Sequence, residues 1–250
     1  MSRKLTIPLL LLCALSSCTQ PTYVANKLQV PIFTHADEKE IEASYNLFGS
    51  AHVAAGYAIT DEIAAVGSCR FSKFTAGDSE SYHSNFYDIG AGYYRKPSDD
   101  EIFRFEVFGR IGYGYMKTID TDEEPFSLMA SDGVTQVGFF SYDYWKSQVQ
   151  INTGISYENI SLIGSLRTGF MHLGNISRRI QRTDDGTVVE QSFEANRNIP
   201  FFDYGFTARV ETIYRLGIEL QVGGGKMSKT IGFSGSEKYP IFSFGLTYKF

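Results

Sequence analysis

From Ile41 onward the chain alternates apolar and polar residues with a period of two, the pattern of strands that bury one face and wet the other. The clearest run is Ile102 to Lys117. Phe103, Phe105, Val107, Ile111, Tyr113 and Tyr115 fall on one side of it, and Arg104, Glu106 and Arg110 on the other. Before it, Ile41, Ala43, Tyr45 and Leu47 oppose Glu42, Ser44 and Asn46. After a turn at Gly49-Ser50, Val53, Ala55, Tyr57 and Ile59 continue one face. Thr60-Asp61-Glu62 then leads to a strand over Ile63 to Phe74, and a Gly-, Asp- and Ser-rich loop leads to another over Tyr82 to Arg95. Lys96-Pro97-Ser98-Asp99-Asp100 is a compact turn. Past the clearest run, a long connection reaches about Tyr144. Strands follow over Trp145 to Tyr157 and Ile160 to Leu173, the second being the least clean because Ile163 and Met171 fall with Arg167. Beyond a second long connection come Phe202 to Glu211, Leu216 to Val222 and the closing strand Tyr239 to Phe250.

These runs predict about ten strands, most near the ~9–11 residues that cross a bilayer with tilt; eight follow if the first hairpin fails to pair. Connections after strands three, five, seven and nine are long or polar, and those after two, four, six and eight are short. The predicted fold is all-β: a closed, antiparallel, up-and-down transmembrane β-barrel over residues 40–250. A soluble lipocalin-type barrel is the rival, and it would turn every strand over, with apolar residues inside and charges outside.

The closing strand carries Phe242, Phe244, Leu246, Tyr248 and Phe250 on one face and Ser243, Gly245, Thr247 and Lys249 on the other. An aromatic strand that ends the chain on Phe resembles the last strand of bacterial outer-membrane barrels. The pattern is similar to small barrels of the OmpA and OmpX kind. That resemblance implies that the terminal aromatic is a signal to the barrel-assembly machinery and that outer-membrane lipid and lipopolysaccharide are the surroundings. At the other end, Arg3 and Lys4 precede an apolar stretch, Leu5 to Ala14, too short to span a bilayer. Leu15-Ser16-Ser17-Cys18 follows and resembles a lipobox. The resemblance implies a lipoprotein signal peptide over residues 1–17, acylation (palmitate) at Cys18, and, with Thr19 next, delivery to the outer membrane. Barrels of this size with an acylated amino terminus resemble a type common in Bacteroidota-like bacteria. Residues 18–39, with Pro21 and Pro31 and no regular alternation, read as a lipidated tether that leaves both barrel ends on the short-turn, periplasmic side.

Removing residues 1–17 takes away Arg3 and Lys4 and no acid, so the net charge goes from -5 to -7. That balance argues against nucleic acid as a partner. Cys13 leaves with the signal and Cys18 is the lipid site, which leaves Cys69 without an intramolecular disulfide partner. Cys69 reads as a small apolar residue facing lipid. Helix formers are few, while 24 Gly, 16 Tyr and 20 Phe suit a barrel with aromatic girdles.

If the aromatic faces meet lipid, the polar faces meet each other. They deliver Arg70, Arg104, Arg110, Lys146, Arg167 and Arg209 against Glu42, Asp88, Glu106, Glu211 and Glu219. Near-balance of charge in a narrow, low-dielectric interior predicts a paired lattice that fills the barrel. A narrow passage for small solutes is the alternative. Of the connections, the first long one carries Asp120, Asp122, Glu123 and Glu124 without the glycine-punctuated spacing of a calcium loop. The second carries Arg178, Arg179, Arg182 and Arg197, with a turn at Asp184-Asp185-Gly186 that extends a hairpin beyond the membrane. Its arginines suit pairing with the acidic loop, or phosphorylated headgroups or another extracellular ligand. Phe139, Phe140, Tyr142 and Tyr144 are loop aromatics that suit a binding surface, a girdle or a hairpin core. Omptin-type proteases resemble this chain in strand number, and His83, His172 and Asp203 fall near predicted outer strand ends. No Asp-x-Asp couple lies beside them, however, and no His-Ser pair converges in the manner of barrel lipases. The expectation is therefore a structural or surface-binding protein, not an enzyme, with no catalytic residues, metal or cofactor.

Overall fold

The computed structural model describes residues 25–47, 49–76, 80–95, 102–120, 136–182, 188–212, 214–228 and 237–250. Ten antiparallel strands close into one barrel. In chain order they are β1 (Lys39–Asn46), β2 (Ser50–Ala58), β3 (Ile63–Ala76), β4 (Glu80–Arg95), β5 (Phe103–Asp120), β6 (Gln136–Tyr157), β7 (Ile160–Arg182), β8 (Val188–Glu211), β9 (Leu216–Met227) and β10 (Glu237–Lys249). Each strand pairs with its sequence neighbour. The seam is β1 on β10, with Ile41 opposite Tyr248 and Tyr45 opposite Phe244. Closure leaves no unpaired sheet edge, the condition for backbone to lie in hydrocarbon.

The alternation sorts side chains cleanly between the two faces of the wall. Ile89 is 67% exposed and Ile111 58%, whereas Arg110 between β5's apolar positions is 4% exposed. The barrel is thus apolar outside and polar inside, which overturns the lipocalin-type alternative: a water-soluble barrel does not present a continuous apolar exterior. Tyr57, Tyr93, Tyr157 and Phe250 ring the end that carries the short turns, and Tyr113 packs on Trp145 at 5.1 Å between ring centroids further along the wall. Aliphatic Ile41, Ile89, Ile111 and Val149 face outward between the aromatics. Such a band is how a barrel wall meets lipid and its interfaces.

The wall is tall on one side and low on the other. β1 and β2 have 8 and 9 residues, while β6, β7 and β8 have 22, 23 and 24. Of the stretches expected as long connections, 118–120, 136–144, 175–182 and 188–200 are strand, and 121–135 and 183–187 lie outside the described residues. β5 pairs with β6 up to Asp120 opposite Gly138, and β7 with β8 up to Gln181 opposite Val188. The regular alternation of apolar and polar residues fades in the sequence along these extensions of the hairpins. A pair of irregularities marks the departure: the register shifts between Tyr142 and Tyr144 and between Leu173 and Asn175. Between them, Asn175 N–H donates to Asp143 Oδ1 at 3.1 Å. Gly174 leaves room for this contact, since a Cβ there would stand 2.6 Å from the Asp143 carboxylate and push it aside.

Candidate functional site

Residues 25–33, assigned to a tether by the sequence, lie inside the barrel instead. Every one of them is buried, from Ala25 at 5% to Phe33 at 0%. Leu28, Val30, Ile32 and Phe33 explain why: so apolar a stretch gains by leaving water, and the lumen supplies partners for its backbone. The Gln221 amide grips Leu28 twice, accepting from its N–H at 2.9 Å and donating to its carbonyl at 2.8 Å. Gln150 and Asn152 donate to the Gln29 carbonyl at 2.5 and 3.3 Å, and Arg209 to that of Val30 at 2.7 Å. Arg167 donates to the carbonyls of Asn26 and Lys27, and Arg104 to that of Phe33 at 3.0 Å. Ile32 N–H donates to Glu40 Oε2 at 3.3 Å, while Pro31 has no N–H to satisfy. Lys27 places its ammonium between Glu42 and Glu219. The segment is a strap bound in its own barrel as a peptide would be bound in a groove.

Apolar contacts finish the strap at both ends. At the short-turn end Phe33 enters a cluster with Ala58, Ala64, Val66, Tyr94 and Phe108, its ring 5.5 Å from that of Tyr94. Gly56 makes the space, because a Cβ there would lie 2.6 Å from the Phe33 ring. Ile163 meets Val30 and Ile32, which accounts for an apolar residue on the polar face of β7. At the long-hairpin end Ala25 joins a larger cluster that includes Phe86, Met116, Tyr142, Tyr144, Met171, Leu173 and Ile176. Met171, the other misfit of β7, belongs there. Tyr142 and Tyr144 are thus interior residues, and the side chains of Phe139 and Phe140 lie outside the described residues.

Between the two apolar ends the wall is charged. Glu42, Arg70, Asp88, Arg104, Glu106, Arg110, Lys146, Arg167, Arg209 and Glu219 are all buried, and Glu211 is half-buried. The structure groups them into separate sets. Arg110 pairs with Asp88 at 2.6 Å, and Ser68 and Gln148 donate to the same carboxylate at 2.6 and 3.0 Å. Arg167 pairs with Asp203 at 2.6 Å, which also accepts from the Tyr239 hydroxyl. Arg209 bridges Glu40 at 2.9 Å and Glu219 at 2.7 Å. Glu211 pairs with Lys249 at 2.8 Å, Glu106 accepts from Asn152 at 2.8 Å, and Arg104 donates to Ser156. Arg70 donates to Ser84 at 2.7 Å, and Lys146 sits over the Phe201 ring at 3.9 Å. Glu40, His52, Asp203, Gln148, Gln150, Asn152 and Gln221 belong to these sets although sequence reasoning left them out. Their position on the same face of each strand was the available signal. Lys27 carried none, since its segment had been assigned to a tether.

The residues weighed for catalysis do not converge. His172 is exposed on the outer face and bonds Asn198 through Nδ1 at 2.9 Å, whereas Asp203 is fully buried on the inner face. His83 is exposed on β4. Cys69 is half-buried and free, on the outer face of β3. Arg178, Arg179 and Arg182 lie on the extended part of β7, paired through backbone with β6 at Phe140, Phe139 and Gln136; their side chains lie outside the described residues. Cys18, Asp122, Glu123, Glu124 and the Asp184–Gly186 turn lie outside them too. Among the described residues no group of three His, Cys, Asp or Glu side chains could hold a metal ion.

A closed ten-stranded wall, apolar outside and charged inside, is the architecture of outer-membrane β-barrels. Solved structures agree: the outer-membrane protease OmpT of Escherichia coli superimposes with a TM-score of 0.56 at 8% identity, over 89% of this chain and 99% of OmpT. A major outer membrane protein from Thermus thermophilus is a more distant match, with a TM-score of 0.47 at 13% identity over 86% of this chain and 100% of that one. No family model matches the sequence, and no curated protein is significantly similar to it. The likeness to OmpT, at 8% identity, defines the fold and nothing more specific.

Proposed function

We propose that this chain is an outer-membrane barrel lipoprotein, acylated at Cys18, whose lumen is held shut by its own amino-terminal strap. Its work is structural or surface-binding, carried by the long hairpins β5–β6 and β7–β8 on the outer side. Lipopolysaccharide phosphates are a fitting ligand for Arg178, Arg179 and Arg182, and the barrel-assembly machinery is a fitting partner for the aromatic outer face of β10. The observation that carries the closed-barrel reading is the seating of residues 25–33 on buried wall residues along the lumen. A pore needs a continuous water path, and here polypeptide occupies it.

The test is single-channel conductance in a planar bilayer, comparing the full chain with a variant whose residues 25–33 are replaced by Gly and Ser. Silence from the full chain, shown to be inserted, is the expected result. Steady conductance that changes when Arg110 is made Ala would overturn the closed reading and make permeation of small solutes the function. One observation favours a gated form of that second reading. The strap is no part of the wall's β-ladder, so its departure leaves all ten strands paired. Conductance that appears only in the Gly/Ser variant would mean that the strap is the gate.

A further inference from the structure

The strap has a direction, and β7 displays it. Read upward from its short-turn end, β7 first meets Val30 and Ile32 through Ile163. Arg167 then meets Lys27 and Asn26, and Leu173 and Ile176 share the cluster that holds Ala25. Other strands give the same order. Phe33 sits with Tyr94 near the end of β4 and with Arg104 at the foot of β5, close to the end where the chain terminates at Phe250. Each step toward lower residue number is therefore a step away from the short turns. At Ala25 the chain has reached the long-hairpin end and points out of it.

Cys18 is seven Cα–Cα steps from Ala25, a reach of at most about 25 Å. Returning to the short-turn end would mean retracing the nine residues from Ala25 to Phe33 through a lumen that already buries all of them. The rim on the long-hairpin side is within reach, and it is low at β1 and β2. Glu42, which holds Lys27, lies only four residues from Asn46, the last residue of β1; that is about 13 Å along the strand. We propose that the chain is threaded through its own barrel, so that the residues before Ala25 and the acylated Cys18 lie on the long-hairpin side of the membrane, opposite the carboxyl terminus. The acyl chains then enter the leaflet on that side, over the low rim. The lipid half of this proposal rests on the lipoprotein reading above; the threading rests on the described strap alone. It revises the expectation that the lipid site and both barrel ends share the periplasmic side.

The experiment places single cysteines in the full-length chain with Cys69 changed to Ala, and labels them with a membrane-impermeant maleimide of large mass. Leu47→Cys, in the β1–β2 turn, reports the long-hairpin side. Asn159→Cys, in the β6–β7 turn, reports the short-turn side, and Thr22→Cys reports the segment before the strap. Intact cells are compared with cells whose outer membrane has been opened with EDTA. The expected result is that Thr22→Cys and Leu47→Cys label in intact cells, Asn159→Cys labels only after opening, and the Cys69→Ala parent does not label. Labelling of Thr22→Cys only together with Asn159→Cys would overturn the threading. If Leu47→Cys is the protected site, the barrel's assumed orientation in the membrane falls, but the threading still stands or falls by which control Thr22→Cys follows. Labelling of the parent would show a free thiol at Cys13 or Cys18, which the lipoprotein reading does not allow, and remove the lipid half of the proposal.

Discussion

Lys27 is the residue on which the placement of the strap is most sharply tested. Its ammonium lies between the carboxylates of Glu42 and Glu219, with side-chain exposure of 3%, 1% and 0% for the three groups. Changing Lys27 to Met keeps the stem and removes the charge. Glu219 then retains Arg209 at 2.7 Å. Glu42 retains only Ser44 at 3.1 Å and His52 at 3.5 Å. One carboxylate is thus left buried and undercompensated, a situation that costs about 3–5 kcal/mol. Adding Glu42→Gln removes the orphaned charge, and the double variant should recover most of the loss. The readout is urea unfolding of the refolded barrel in lipid vesicles, followed from both directions through Trp145. That residue is the single tryptophan, and it faces outward at 54% exposure, so its emission reports insertion. Lys39→Met is the control: Lys39 is exposed, and its change should stay within about 0.5 kcal/mol. If Lys27→Met unfolds together with Lys39→Met, Lys27 is not desolvated, and the strap does not occupy the lumen of the inserted protein.

Three further outcomes follow from the same geometry and use the same unfolding assay. Gln221→Leu leaves both the N–H and the carbonyl of Leu28 without their partner and should cost about 2–4 kcal/mol; a loss under about 0.5 kcal/mol would mean that the strap backbone is hydrated. Gly56→Val drives a side chain into the Phe33 ring and should cost about 1–3 kcal/mol, whereas Gly109→Ala, where the nearest heavy atom is 4.0 Å from an added Cβ, should be nearly neutral. Equal effects at the two glycines would remove Phe33 from the short-turn end. Ile111→Arg puts a charge on the outer wall and should cost about 2–4 kcal/mol if that position lies near the bilayer midplane. Indifference in vesicles would place Ile111 outside the hydrocarbon.

The wall was legible because its two faces meet two different solvents, and alternation along a strand is the direct record of that difference. Strand β5 is the extreme case: Phe103, Ile111, Tyr113 and Tyr115 are exposed on the outer face, and Arg104, Glu106 and Arg110 are buried. The record weakens where one solvent no longer contrasts with the other. In β6 and β8, Gln136 to Tyr142 and Val188 to Arg197 pair as strand although their sequences carry no regular apolar–polar alternation. Ile163 and Met171 looked like errors on β7 for the opposite reason. Each faces the lumen, but at a level where the lumen is filled by apolar atoms of the strap or of the upper cluster.

The strap was illegible for a deeper reason. A strand in a wall has two unlike sides, whereas an extended segment in a lumen is surrounded by one continuous environment, and each residue answers only to the group beside it. Lys27 answers to Glu42 and Glu219, Leu28 to Gln221, and Phe33 to the space left by Gly56. No periodicity results, and Pro31 tolerates the position because no ladder bond is required of it. Burial still constrains composition: four large apolar residues between Leu28 and Phe33 are more than a solvated tether would carry. The same logic explains the wall's polar face. Gln150, Asn152, Gln221 and Arg209 spend their hydrogen-bonding capacity on strap carbonyls as well as on neighbouring wall side chains. Their arrangement therefore records the strap as much as the barrel. A lumen built only to carry water would have no need of donors aimed at a peptide backbone, and that mismatch is why the Gly/Ser replacement, more than any single charge change, separates a plugged barrel from a pore.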